Sequence, residues 1–182
     1  MSTVKGENPL SDPSQARNLD QCSHLAMART DYLNDPNAPE PNSIVIAVSA
    51  FVLDDAGRLL MIRRTDNNRH ALPGGRHELG ETMTDTVRRE TTEETGIDVE
   101  TTGVIGIYSN PRHVMAYDNG EVRQEFSICF RARPTGGSLR TSDESSEVRW
   151  VERDQLDELN IHPSIRLRID HGFADRAEPY YT

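Results

Sequence analysis

The chain has 182 residues, a formal net charge of −10 at pH 7 and 35% hydrophobic residues, a size that suits one domain with appendages. The acidic balance argues against a generic nucleic-acid coat, which needs a basic surface for phosphate contacts, and no apolar run approaches the ~20 residues of a membrane span. MSTVKGENPLSDPSQ at the amino terminus has no apolar signal-peptide core, and Cys22 and Cys129 stand in unrelated contexts, as expected of a reduced cytoplasmic protein.

Residues 1–42 are polar and dotted with Pro9, Pro13, Pro36, Pro39 and Pro41. Such a segment reads either as a mobile tail or as an arm packed on the domain or on a second subunit. Leu19, Cys22, Leu25 and Ala26 recur at helical spacing. That spacing predicts a helical arm over 16–33, with a homodimer as its purpose.

From Ser43 the β-branched run SIVIAVSAFVLDD meets the turn signal DDAG, and RLLMIRR follows. The pair predicts a β-hairpin over 43–64. Further strands are expected at TTGVIGIYS, EFSICFRARP and SEVRWVE, separated by NPRH, YDNGE and PTGGS. RDQLDELN predicts a short helix, and HPSIRLRIDHGF a second one with Pro163 in its first turn. Residues 43–172 form the expected domain, and 173–182 a loose terminus.

Between hairpin and later strands lies GGRHELGETMTDTVRRETTEETG, residues 74–96. Thr82 with Asp85 three residues on makes a capping-box start, and Gly96 a natural stop, so the helix is expected over 83–95. At ~100° per residue, Glu90, Glu93 and Glu94 share one arc of the wheel, and that arc borders the side of Val87 rather than the far, solvated face. Carboxylates crowded beside a core repel one another and lose hydration. A divalent cation removes that penalty, because hard cations take oxygen ligands from clustered carboxylates. The crowding also predicts that neutralising Glu93 raises stability when no metal is bound.

The stretch resembles the Nudix box through Gly75, Glu81, Arg89, Glu90, Glu93, Glu94, Gly96 and Ile97. The seven fixed identities, Ile97 being only an apolar position, arise by chance in a chain this size about once in a million, at residue frequencies of roughly 5–10%. Thr91 departs from the pattern, standing where the family prefers an apolar residue. The resemblance covers about residues 43–172 and implies the α/β class, as the Nudix α/β/α sandwich around a mixed β-sheet.

What it implies about chemistry is hydrolysis of a nucleoside diphosphate linked to another group, with Mg²⁺ or Mn²⁺. Glu90, Glu93, Glu94 and the carbonyl of Gly74 would hold the metal. Arg89 would orient Glu90 and Glu81. A base outside the box is expected at Glu144, which stands six residues before Trp150, with Asp143, Glu90 and Glu94 as alternatives; Glu147 is expected in a surface pair. Pro111, 15 residues after Gly96, hints at ADP-ribose-like substrates. Arg63, Arg64, Arg69 and Arg76 cluster before the helix without any one being assigned to phosphate. Tyr108 and Tyr117 read as core or surface residues sooner than as base-stacking ones, and Cys129 as packing. The favoured substrate is an ADP-ribose-like compound or nucleotide sugar. The alternatives are a MutT-like nucleoside triphosphatase and a nucleotide-sensing domain without turnover.

Overall fold

The computed structural model describes residues 29–182. Strand β1 (Arg29–Leu33) is followed by β2 (Ser43–Ile44), β3 (Ala47–Val52), β4 (Leu59–Arg64), β5 (His70–Ala71) and helix α1 (Met83–Thr95). Then come β6 (Ile97–Tyr108), β7 (His113–Tyr117), β8 (Val122–Gln124), β9 (Ser127–Gly137), β10 (Ser145–Val151), a 3₁₀-helix (Arg153–Glu158), α2 (Pro163–Ala174) and β11 (Tyr180–Tyr181). They build three sheets, ordered β11-β6-β9-β3, β10-β4-β5 and β1-β7-β8-β2.

Alternation along the strands splits the core into two layers. Val48, Ala50 and Val52 of β3 join Leu60, Phe130, Ala132 and Val87 of α1 in one cluster. Phe51, Leu59, Met61 and Cys129 turn the other way and pack with Ile169 of α2. One helix therefore covers each face of the strands, and the mixed pairing (β3 with β9 parallel, β6 with β9 antiparallel) completes the expected α/β/α arrangement. Among the described residues no helix is long and apolar enough to cross a membrane.

The hairpin expected over 43–64 does not form. β3 and β4 meet at a single bridge, Leu53 with Leu59, and β4 instead pairs antiparallel with β10. The reason is competition for one strand edge. Val48 N–H donates to Gly75 O (2.8 Å), Ala50 N–H to Pro73 O (2.8 Å) and His77 N–H to Ile46 O (2.9 Å). The segment 73–77 thus occupies most of the edge of β3 that a hairpin partner would use, and it sets Gly74 and Gly75 against the middle of the fold.

Three further expectations need correction. Residues 29–33, at the end of the expected arm, are strand and not helix: β1 pairs antiparallel with β7, where Tyr32 and Leu33 alternate along a sheet edge. The rest of that arm, 16–28, lies outside the described residues. The loose terminus contains β11, which runs parallel to β6, with Ser109 N–H donating to Thr182 Oγ1 at 3.1 Å. Strands β7 and β8, set among the expected breaks NPRH and YDNGE, were not expected, because five and three residues are too short to show an alternating pattern.

A buried polar group ties β7 and the segment after β8 to α2. Glu125 pairs with Arg168, and His113 stacks on His162 with ring centroids 5.1 Å apart. His113 Nδ1 lies 3.1 Å from Glu125 Oε2, an ion-pair distance, although neither ring nitrogen makes a well-directed hydrogen bond. Burial, with His113 beside it, pushes His162 down to about 4.

Helix α2 fits close to the strands at Gly172, where a methyl group would overlap the ring of the fully buried Phe51. Gly172→Ala gains ~1 kcal/mol of helix propensity and loses ~1–3 kcal/mol to overpacking. The Phe51 ring, held edge-on to Phe173, has nowhere to retreat, so the loss should win. Thermal denaturation should show Tm lowered by at least ~3 °C; an unchanged or raised Tm would contradict this packing.

Candidate active site

Helix α1 spans the expected residues with the expected ends. Thr82 Oγ1 accepts from Asp85 N–H (3.2 Å), Asp85 Oδ2 accepts from Thr82 N–H (3.1 Å), and Gly96 closes the helix with φ 75°. Thr86, Val87, Thr91, Glu94 and Thr95 form its buried face. Thr91 is fully enclosed, and its hydroxyl donates to Val87 O at 2.7 Å. The departure from an apolar residue is thus met by a local bond back into the helix.

The three glutamates are not equivalent. Glu94 is buried, with 3% of its surface exposed. The side chains of Glu90 and Glu93 are 13% and 60% exposed. Gly74 N–H donates to Glu94 Oε2 at 2.7 Å, while Glu94 Oε1 is buried without a hydrogen-bond partner. Burial, only partly offset by the Gly74 N–H and Arg64, raises its pKa to about 8. Glu90 is also raised, mainly by burial. A methyl group at Gly75 would overlap the Glu90 carboxylate, and one at Gly74 would overlap Val48 O. Only glycines let the loop lie between β3 and these two carboxylates.

Arg89 is the hub on the outer side. Its Nε donates to Glu81 Oε1 (2.6 Å), and Nη1 to Glu90 Oε1 (2.8 Å) and Glu93 Oε2 (3.2 Å). Nη2 donates to Arg76 O (3.1 Å) and Glu81 Oε2 (3.1 Å). The bidentate bond from Arg89 holds the Glu81 carboxyl down at about 2. The expected pairing of Arg89 with Glu81 and Glu90 is therefore present, and Glu93 joins it.

Glu144 is exposed on the loop before β10 and near enough for its charge to push Glu90 and Glu94 upward. Arg64 faces both Glu94 and Glu144 and is held by two 2.9 Å bonds to Asp66. Of the four arginines left unassigned in the sequence, Arg64 is the one brought to the carboxylates; its place at the end of β4 beside Ser145 had no local signal. Tyr108 is in the core, its hydroxyl 3.0 Å from His171 Nδ1. Tyr117 lies under the guanidinium of Arg123 at 4.4 Å. Cys129 is fully buried and free, and Glu147 pairs with Arg149 at 3.1 Å. Pro111 is exposed at the turn into β7, and His113 belongs to the separate buried polar group.

Could these residues hold a divalent cation? Among the described residues no three acidic, histidine or cysteine side chains already converge as a finished metal site. Yet a buried carboxylate oxygen with no partner is unfavourable in a protein interior, and a hard cation is the partner it suits. Glu90 stands beside it, and Glu93, mostly exposed, is free to turn from Arg89. The donor set fits.

A model of the NUDIX domain family matches residues 44–170. The chain is 40% identical over 128 residues to a MutT-like protein of Streptomyces ambofaciens, covering 70% of this chain and 77% of that one. It is 32% identical over 117 residues to an ADP-ribose pyrophosphatase of Methanocaldococcus jannaschii, covering 63% of this chain and 65%, just under two thirds, of that one. A crystal structure of an ADP-ribose pyrophosphatase from Streptococcus suis superposes with a TM-score of 0.58 at 19% identity, covering 77% of this chain and all of that one. That likeness speaks to the fold.

The charge penalty in the metal-free protein falls on Glu94 rather than on Glu93, which Arg89 already compensates. A folded-state pKa of about 8 against an ordinary 4.5 means that neutral Glu94 contributes stability fully present below pH 4.5. That contribution is lost as the pH rises through about 8. In EDTA, Glu94→Gln should gain Tm relative to wild type by at least ~4 °C between pH 5 and pH 8.5. A Tm difference that stays constant with pH would contradict the assignment.

Proposed function

The chain belongs to the Nudix hydrolase family, and from that membership we propose a divalent-metal-dependent pyrophosphohydrolase acting on a nucleoside diphosphate linked to a second group, with an ADP-ribose-like compound or nucleotide sugar favoured. The observation that carries the metal half of this reading is the buried, unpartnered Oε1 of Glu94 next to Glu90 and the Gly74–Gly75 loop. For the substrate half, support comes from Pro111 and from the archaeal relative's name. The streptomycete relative's name favours a second reading, a nucleoside triphosphatase of the MutT kind.

Glu90, Glu93, Glu94 and the carbonyl of Gly74 would hold Mg²⁺ or Mn²⁺. When bound, the cation supplies neutralisation of the pyrophosphate charge and activation of the attacking water. Arg89 fixes the orientation of Glu90 and Glu81 by charge-assisted bonds. Glu144 receives the proton from water at its carboxylate as the water oxygen bonds to phosphorus and the bridging P–O bond breaks. The products are two phosphate monoesters when a nucleoside diphosphate derivative is cleaved. Arg64, held by Asp66, faces the same space and suits phosphate oxygen. We further infer a cytoplasmic location, with Cys129 a reduced buried thiol, and a homodimer formed through the amino-terminal segment; light scattering of the full chain tests the latter.

The deciding experiment is turnover of ADP-ribose, sugar nucleotides, dinucleotides and nucleoside triphosphates with Mg²⁺ and Mn²⁺. Activity should vanish in EDTA, and Glu93→Gln and Glu94→Gln should each lower kcat at least ~100-fold with the fold intact. Glu144→Gln should lower kcat ~10²–10⁴-fold. Near wild-type turnover in the first two variants would remove the metal assignment; in the third it would move the base to Glu90, Glu94 or Asp143.

A further inference from the structure

The loop that carries Glu144 is bonded on three sides. Ser145, fully buried, donates its hydroxyl to Glu94 O at 2.7 Å. That carbonyl lies in the last turn of α1, where no intrahelical donor remains. Ser142 Oγ accepts from Glu144 N–H and Ser145 N–H, both at 3.2 Å. From the turn just after β4, Thr65 N–H donates to Glu144 O at 3.0 Å, and its hydroxyl to Asp143 O at 3.0 Å.

A β-bulge makes this possible. Pairing of β10 with β4 shifts between Ser145 and Glu147, leaving Ser146 as the extra residue. Counting back by twos from Trp150 and Val148, which pack toward α1, Ser146 would face the helix. The bulge hands that place to Ser145 and turns Ser146 out, where its hydroxyl donates to Arg63 O at 3.1 Å. The carbonyl of Thr95, next along the helix, is likewise taken by Arg140 N–H at 2.9 Å. The segment 138–145 thus caps the helix end that bears Glu94 while presenting Glu144.

We propose that Ser145, backed by Thr65, is a positioning residue that fixes the Glu144 loop against the last turn of α1. The catalytic half of the inference rests on the reading of Glu144 as the base. Its consequence is that Glu144 and the Glu94 turn behave as one unit, with the buried hydroxyl of Ser145 as the link.

The test uses Ser145→Ala and, since a buried site can disturb folding, the exposed Thr65→Val as a second variant. In the metal-free protein, amide hydrogen exchange at Thr65 should quicken at least ~10-fold in Ser145→Ala. In turnover, Ser145→Ala should lower kcat about 10–100-fold with KM within about twofold, and Thr65→Val a few-fold in the same sense. Combined with Glu144→Gln, neither should slow the enzyme further, because both act through that carboxylate. Unchanged exchange at Thr65 would overturn the clamp whatever the chemistry. Losses that multiply with Glu144→Gln would overturn the link to Glu144. If Glu144→Gln itself turns over like wild type, the base assignment and the catalytic half of this inference fall together, while metal-dependent hydrolysis stands.

Discussion

A single hydrogen bond organises this protein: Gly74 N–H to the buried carboxylate of Glu94, 2.7 Å long. It joins the loop lying along the edge of β3 to the last turn of α1. The bond satisfies one oxygen of Glu94 and leaves the other without a partner in a dry setting. Desolvation is the larger effect there, since one N–H and the charge of Arg64 do not bring the pKa back to its ordinary range. The fold therefore keeps a local defect at this carboxylate, a conflict of the kind tolerated where function and stability compete.

The surroundings are arranged so that this defect does not spread. Arg89 compensates Glu81, Glu90 and Glu93 at once, so the repulsion expected among three neighbouring glutamates is mostly absorbed on the exposed side. The capping box and Gly96 fix both ends of α1, and the segment 138–145 takes up its last carbonyls. Farther off, the pairing of Glu125 with Arg168 locks α2 to the strand side. With both helices anchored independently, Glu94 can be destabilising without loosening its helix.

The helix and its acidic arc were legible because they depend on short-range chemistry: Thr82 and Asp85 at the start, Gly96 at the end, a 3.6-residue period between. Arg89 and its partners Glu81 and Glu90 were expected from the family resemblance rather than from local chemistry, and the structure pairs them. The missing hairpin was not legible, because it turns on which distant segment wins one edge of β3, and 73–77 wins by its glycines. Arg64 was hidden among similar arginines, and only the pairing of β4 with β10 selects it. The inward turn of Ser145 depends on a bulge at Ser146, which reverses the facing that alternation alone would assign. The relative burial of Glu94, Glu90 and Glu93 was missed for a related reason: the wheel places all three in one arc but says nothing of the loop that covers Glu94.

The central claim is that the unpartnered oxygen of Glu94 belongs to a divalent-cation site, and it can be examined without any substrate. Mn²⁺ should be titrated calorimetrically, at neutral pH, into metal-free protein and into Glu94→Gln. The account predicts binding by the native protein and a loss of affinity of at least ~10-fold in the variant, as removal of one charged oxygen ligand from a hard-cation site requires. Equal affinity in the two proteins would contradict it.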